Sequence, residues 1–560
     1  MIRAGTLARA ALFGTVVAST ACSSGVDVGD EVRLTLLGTT DVHGQLLPYE
    51  YATGGASPGS LAQVATLVDS IRHVDPAVLL FDSGDLLQGT PLDEYQASEG
   101  IDDIHPVIAA MNLLRYDASA IGNHEFNYGL PFMRSALAGA SFPFLAANIR
   151  AAGSDSLPFQ TYAVLEVQGV RVGVIGFTTP GVAVWDRANV EGRLLFDDIV
   201  DAARRWVPRL REAGADVLVA IAHSGVGPGS SYGSVVGVPE ENALERLATE
   251  VPELDVIFGG HTAESIDGLR VGRTLILHAG VRANHLAVAH VQARRTPDGF
   301  TVASTHGRVL PTGDVPPSDA VVELVRSAHE RTLAWLDVPI GYTPDRWSSA
   351  TGRFEDTPIA DLITTVQTEL TGADLSSTAL FNTRTEFGPG PITRSDILGL
   401  YVYPNTLRAV RISGFDLAAY LERSALYYHT FPTAEPINDS IRGYNYDMIA
   451  GVAYTLDLSR PRGDRVTALR YRGQPVAESV SFTLALNSYR QSGGGGYQMI
   501  AGLPVTYLDE VDIASRIIEF IQRRDTLRIE DVFESNWGLA PPAVVEQLRT
   551  LARAEAGQSH

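Results

Sequence analysis

Val217-Leu-Val-Ala-Ile-Ala-His223 is a run of six apolar residues closed by a histidine. It reads as a buried strand that delivers an imidazole at its C-terminal end. The same arrangement recurs along the first half of the chain. Val32-Arg-Leu-Thr-Leu-Leu-Gly38 runs up to Thr40-Asp41, and Ala77-Val-Leu-Leu-Phe81 runs up to Asp82-Ser-Gly-Asp85. Ala118-Ser-Ala-Ile-Gly122 leads to Asn123-His124, and Val256-Ile-Phe-Gly-Gly260 to His261. Val170-Arg-Val-Gly-Val-Ile-Gly-Phe177 completes the series. Helical stretches such as Leu61 to Arg72 and Asp198 to Ala213 fall between them. Short apolar strands alternating with helices predict an α/β layered fold. The polar residues stand just past the C-terminal strand ends, where open α/β sheets build their sites.

The chain has 560 residues, too many for one core, and 45% of them are apolar, enough for more than one. Its net charge is −22, and all 43 Lys/Arg positions are arginine. Such acidity repels a polyanion and argues against duplex DNA or long RNA as partner. A mononucleotide needs only a local basic pocket. Cys22 is the only cysteine, so no disulfide forms within the chain and no catalytic thiol exists elsewhere.

The N-terminus reads as an export signal over residues 1–21. Arg3 and Arg9 supply the positive charge, and Ala10 to Ala18 form an apolar stretch too short to span a bilayer. Cys22 stands where bacterial lipoproteins place the lipid-accepting thiol, although Ser19 replaces the aliphatic residue that pattern usually has. The expectation is an exported monomer in the periplasm or cell envelope, lipid-anchored at Cys22, with residues 22–31 as tether.

The α/β pattern occupies residues 32–315 and breaks at Pro316-Pro317. Residues 316–337 read as an amphipathic linker helix with Val321, Leu324, Val325, Ala328 and Trp335 near one face. A second domain follows over 338–553. It mixes helices (Pro358 to Leu370, Gly414 to Tyr427) with strands (Leu407 to Ile412, Ser481 to Leu486).

The strand ends of the first domain collect Asp41, His43, Asp82, Asp85, Asn123, His124, His223 and His261. Asp41 and His43 are separated by one residue, so both can face one side of extended chain. Carboxylate, amide and imidazole together suit Zn, Mn, Co or Fe better than Ca. One carboxylate can bridge two such divalent ions, which then clamp the attacking and leaving oxygens of an in-line displacement.

The series Thr40-Asp-Val-His-Gly44, Gly84-Asp85, Gly122-Asn-His-Glu-Phe126 and Gly259-Gly-His261 resembles the calcineurin-like metallophosphoesterases, and within them the 5′-nucleotidase branch. Asp85-Leu-Leu-Gln-Gly-Thr-Pro-Leu92, Gly122-Asn-His-Glu-Phe-Asn-Tyr-Gly129 and Leu400-Tyr-Val-Tyr-Pro-Asn-Thr-Leu407 are similar to the periplasmic 2′,3′-cyclic-nucleotide 2′-phosphodiesterase/3′-nucleotidases. Tyr444-Asn-Tyr-Asp447, Asn487-Ser-Tyr-Arg490 and Asn536-Trp-Gly-Leu-Ala-Pro541 fit the same group.

The resemblance implies a β-sandwich flanked by helices, followed by a 5′-nucleotidase-type α/β domain. It implies two divalent ions. Asp41 and His43 would hold the first, Asp85 would bridge, and Asn123, His223 and His261 would hold the second. His124 would act on the phosphoryl group without binding metal, with Asn127 orienting its ring where 5′-nucleotidases use an aspartate. Tyr444 and Tyr489 would stack a base, with Asn487 and Arg384 as further substrate contacts. The sequence departs from the pattern at Ala263, where the family carries a second ligand. That leaves the first ion to water, Glu264 or His278. The implied activity opens 2′,3′-cyclic nucleotides to 3′-nucleotides and then releases nucleoside and phosphate. A 5′-nucleotidase or nucleotide-sugar hydrolase on the same scaffold is the alternative, and a non-catalytic nucleotide-binding lipoprotein a second one.

Overall fold

A computed structural model of the chain describes residues 31–558 apart from 102, 155, 231–236 and 404, so the export segment and Cys22 lie outside the described residues. In chain order the strands of the first domain's two large sheets are β1 (Glu31–Thr39), β2 (Val78–Asp82), β3 (Ala118–Ala120), β4 (Phe144–Leu145), β5 (Tyr162–Val167) and β6 (Val170–Thr178). They continue with β7 (Val217–His223), β8 (Val256–Gly259), β9 (Ser265–Val271), β10 (Thr274–Ala279), β11 (His285–Thr296) and β12 (Gly299–Pro311). Among the described residues they form two six-stranded sheets, ordered β12-β11-β1-β2-β3-β4 and β9-β10-β8-β7-β6-β5. The strands that deliver the polar residues are parallel: β1 to β2 to β3 in one sheet, and β7 to β8 in the other.

Alternation along β1 decides which layer each side chain joins. Leu34 and Leu36 enter the core between the sheets, with Phe81, Val219, Phe258 and Leu277. Leu37 points the other way, into a core shared with the helices Leu61–Val74 and Pro106–Leu114. The second sheet packs its outer face on Ile199–Glu212 and Leu244–Glu250. The result is a β-sandwich with helices outside both sheets, and each fully buried Leu, Val or Phe in it contributes roughly 1.5–3 kcal/mol. The sheets meet closely at Gly38, where a Cβ would lie 2.4 Å from the Phe258 ring.

The linker helix spans Asp319–Leu336. Val321, Val325, Ala328, Thr332 and Trp335 are buried, but Leu324 is 46% exposed, contrary to its expected place on the apolar face. At 100° per residue the buried positions fall within one narrow stripe, and Leu324 lies just beyond its edge. The helix packs on three helices of the first domain and belongs to that domain's core.

The second domain has strands β13 (Leu375–Ala379), β14 (Thr406–Ser413), β15 (Asp447–Ala450), β16 (Ser481–Asn487) and β17 (Val505–Asp512), ordered β15-β13-β16-β14-β17. They share one core with the helices Pro358–Thr371, Gly414–Ala425 and Ile513–Arg524. The helix expected to reach Tyr427 stops at Ala425, with Leu426 as its cap; Tyr427 and Tyr428 turn inward, Tyr427 stacking on Tyr446 and Tyr428 meeting it edge-on. A smaller sheet joins Ala453–Asp457 to Trp537–Ala540. Among the described residues no helix is long and apolar enough to cross a membrane.

Candidate metal centre

The loops after β1 and β2 are laced together by their backbones. Ser83 N donates to Thr39 O, Asp41 N to Gly84 O, His43 N to Asp85 O and Gly44 N to Leu86 O, at 2.9–3.1 Å. This pairing continues past the strands and holds Asp41, His43 and Asp85 with positive φ, at 49°, 48° and 64°. His261 and Ala263, after β8, are also left-handed, at 79° and 55°. Each such non-glycine residue costs on the order of 1–3 kcal/mol and persists only where its surroundings enforce it.

The enforcement comes from buried acceptors. Glu125 is fully buried and accepts from the backbone N–H of Leu86 at 2.5 Å, Gly122 at 2.6 Å, Asp85 at 3.1 Å and Leu87 at 3.3 Å. Burial and the neighbouring Asp85 raise its pKa. Asp85 Oδ1 accepts from His124 N at 2.8 Å, and a Cβ on Gly122 would lie 2.1 Å from that oxygen. Asp41 accepts from His261 N at 3.0 and 3.1 Å and from Thr40 Oγ1 at 2.5 Å.

These constraints bring six of the sequence-predicted residues around Asp85. His223 Nε2 lies 3.0 Å from Asp85 Oδ2 and 3.1 Å from Asn123 Oδ1. His261 Nδ1 lies 3.0 Å from the same Asn123 oxygen. His43 Nε2 is 3.9 Å from Asp41 Oδ1 and 4.0 Å from Asp85 Oδ2. His124 Nε2 is 3.9 Å from Asp85 Oδ2, as near as His43. Two groups result, each with donor atoms mutually within 4.8 Å: His43, Asp85, His124 and Asp85, His223, His261. Asp85 is common to both.

The far side of each imidazole is anchored. His43 Nδ1 meets Gln88 O at 2.7 Å and His223 Nδ1 meets Ser83 O at 2.9 Å. His261 Nε2 meets Glu241 Oε1 at 2.6 Å. Partners of this kind fix the tautomer that leaves the other nitrogen's lone pair for a metal. Burial opposes charge on His223, yet Asp85, Asp41 and Glu125 outweigh it and push the imidazole up to about 10. Burial likewise opposes charge on Asp85, and His223, His124 and His43 hold its carboxyl far below the usual range. A pocket that favours positive charge this strongly, lined by oxygen and imidazole donors, fits divalent ions.

Neither substitute for the ligand missing at Ala263 joins these groups. Glu264 is exposed. His278 is fully buried, and its Nδ1 accepts from Gly280 N at 3.3 Å.

A cavity of about 280 Å³ opens beside the centre, between the domains. Gln88, Asn127 and Arg282 line it from the first domain, and Tyr401, Tyr403 and Asp512 from the second. Tyr403 packs edge-on against Tyr444, with ring centroids 6.1 Å apart. Tyr444 is half-buried, and Tyr489 is 44% exposed. Their loops are joined by Arg490, buried with Asp447, whose Oδ1 accepts from Nη2 at 2.6 Å; Nη2 also reaches Tyr444 O at 3.0 Å. The side-chain oxygen of Asn487 caps this turn by accepting from Arg490 N at 2.8 Å. Arg384 is exposed, on the chain between β13 and the next helix.

The calcineurin-like phosphoesterase family matches residues 34–265, and the 5′-nucleotidase C-terminal domain matches residues 339–502. A 2′,3′-cyclic-nucleotide 2′-phosphodiesterase/3′-nucleotidase of Salmonella typhimurium is 30% identical over 87% of this chain and 84% of its own length. The chain belongs to this metallophosphoesterase family. The trifunctional nucleotide phosphoesterase YfkN of Bacillus subtilis is 29% identical over 91% of the chain, which spans 39% of that longer protein. A solved Staphylococcus aureus structure assigned as a 5′-nucleotidase superposes with a TM-score of 0.64 at 25% identity, covering 91% of this chain and all of that one. As a calcineurin-like enzyme the chain is a hydrolase that uses divalent metal.

Five further residues shape the site: Glu125, Glu241, Arg282, Tyr403 and Asp186, which stands behind Asn127. Glu125 and Tyr403 sit inside motifs that were already legible. Glu241, Arg282 and Asp186 lie in loops whose placement depends on the folded sandwich, and no local pattern marks them.

Proposed function

We propose that this protein hydrolyses 2′,3′-cyclic nucleotides to 3′-nucleotides, and these to nucleoside and phosphate. The observation that carries this reading is a juxtaposition: Gln88 and Asn127, bonded to His43 and His124 of the cluster around Asp85, line a cleft edged by Tyr401 and Tyr403 of the other domain.

Asp41, His43 and Asp85 would hold one divalent ion, and Asp85, Asn123, His223 and His261 the other; Zn, Mn, Co and Fe suit these donors. When bound, the ions supply Lewis-acid activation of water and neutralise phosphoryl charge. His124, beside Asp85, would hold or release a proton at the leaving oxygen. Arg282 is the only arginine or lysine among the described residues lining the cleft, which also carries Glu50, Glu94, Asp512 and Glu519. Its guanidinium contacts Glu50 at 3.2 Å and Gly89 O at 3.3 Å, beside His43, and offers an anionic substrate its countercharge. Tyr444 and Tyr489 stack the base, at roughly 1–3 kcal/mol per base and with little selectivity among bases. Asn487 and Arg384 remain as substrate contacts in this reading. The sequence of residues 1–22 supports export and a lipid anchor at Cys22.

Phosphate release from 2′,3′-cyclic AMP and 3′-AMP, with 5′-AMP in parallel, tests the assignment. Turnover of the first two well above the third is expected. Preference for 5′-AMP would replace it with a 5′-nucleotidase.

A further inference from the structure

His124 Nδ1 and Asn127 Oδ1 are 2.6 Å apart. With the amide oxygen there, the ring nitrogen must carry the proton, and Nε2 is left facing Asp85. An amide is an ambiguous partner, however. Turned over, Asn127 would present N–H to the same nitrogen and impose the opposite tautomer. Its own ring contact does not decide between them.

The decision comes from the other end of the amide. Asn127 Nδ2 donates to both oxygens of Asp186, at 3.1 and 3.2 Å. Asp186 follows the short helix Val182–Trp185 and is only 4% exposed. Asn189 holds it from the far side, with Nδ2 3.4 Å from Asp186 Oδ1 and 2.9 Å from Phe126 O. An ionised carboxylate accepts and never donates, so it admits only the N–H end of the amide. Burial raises the carboxyl of Asp186 to about 6, against the opposing pull of Asn127, so it is ionised above that pH.

We propose that Asp186 is a positioning residue for His124, fixing the Asn127 amide so that Nδ1 of the ring is protonated and Nε2 is directed at the reacting phosphate. The charge that a carboxylate at position 127 would place next to the ring stands here one hydrogen bond further away, on a different loop. This inference rests on the phosphoesterase reading of the site, not on which nucleotide is preferred.

The test compares wild type, Asp186→Asn, and the exchange Asp186→Asn with Asn127→Asp. Substrates are 2′,3′-cyclic AMP and bis(p-nitrophenyl) phosphate, a generic phosphodiester. Asp186→Asn should lower kcat about 10–100-fold on every substrate the wild type turns over, with KM and metal content little changed. The exchange should restore most of that loss, because the carboxylate then meets the ring directly and the new amide at position 186 donates to it. Unchanged kcat in Asp186→Asn, or a loss that the exchange fails to restore, overturns the proposal. Should the variants not fold, the ring tautomer decides. Long-range ¹H–¹⁵N NMR of the wild type, with His124 assigned by His124→Gln, must find the proton on Nδ1; a proton on Nε2 alone overturns it. Turnover of the generic diester without the cyclic nucleotide would sink the nucleotide assignment and leave this test intact.

Discussion

Gly122 has no side chain because Asp85 occupies the place where one would go. A Cβ there would lie 2.1 Å from Asp85 Oδ1 and 2.4 Å from Asp85 N. Gly122→Ala must therefore push the shared carboxylate away from both ligand groups. Metal affinity at both sites should fall by about 10–100-fold, as it does when supporting partners of a ligand are lost; elemental analysis after dialysis against graded chelator measures it. Ala263 presents the opposite case. Its backbone is already left-handed, so Ala263→Gln adds a donor with little new strain. Tighter binding of one metal equivalent in the same titration, with the other unchanged, is the expected outcome. Equal tightening of both would show that the two sites do not differ in the way the sequence implies.

Most of the residues that gather around Asp85 were legible from strand ends, because a buried strand must expose its polar residues where it stops. That rule found Asp41, Asp85, Asn123, His223 and His261 without any structure. It could not find Glu241 or Asp186, whose partners are 20 and 59 positions away in sequence. The linker helix shows the same limit within one element: its periodicity located the buried stripe, but the stripe's width depended on what it met, and Leu324 fell outside it. In the second domain the tyrosines were legible as motifs, whereas the device that sets them is an ion pair. Arg490 and Asp447 are 1% and 2% exposed, and the pair ties the turn after β16 to the start of β15. Removing one partner of a buried pair typically costs about 3–5 kcal/mol. Asp447→Ala should lower stability by that amount in denaturant titration. Under the proposed base-stacking role of Tyr444 and Tyr489, it should also raise KM for 3′-AMP more than it lowers kcat, since it loosens the two tyrosine loops and does not touch the residues around Asp85.

Between the domains, carboxylates face each other. Glu94 of the first domain is pressed towards Asp512 and Glu519 of the second, with Arg394 as the nearby cation and Tyr128 alongside. Burial first, and then Asp512, raise its carboxyl to about 7. The closed arrangement thus binds a proton more tightly than an open one would, where the group returns towards its ordinary range. Its contribution to closure is fully present below the open-state pKa and is lost as pH rises through about 7. Small-angle scattering should show the radius of gyration increasing between about pH 5 and 8, and Glu94→Gln should flatten that rise. A pH-independent radius in the wild type would mean the seam does not open.

The linker helix carries a consequence for how such a protein can be assembled from parts. Val321, Val325 and Ala328 complete the first domain's core, while Trp335 sits under the Arg394 guanidinium at 4.0 Å. The seam between modules therefore falls after residue 336 and not at the prolines before the helix. A gene fusion or exchange of C-terminal halves that breaks at Pro316-Pro317 would strip Val321, Val325 and Ala328 from the first domain's core. One that joins at Asp337-Val338 would keep the first domain's core whole and leave Trp335, Glu94 and the cleft lining as the surfaces to rematch.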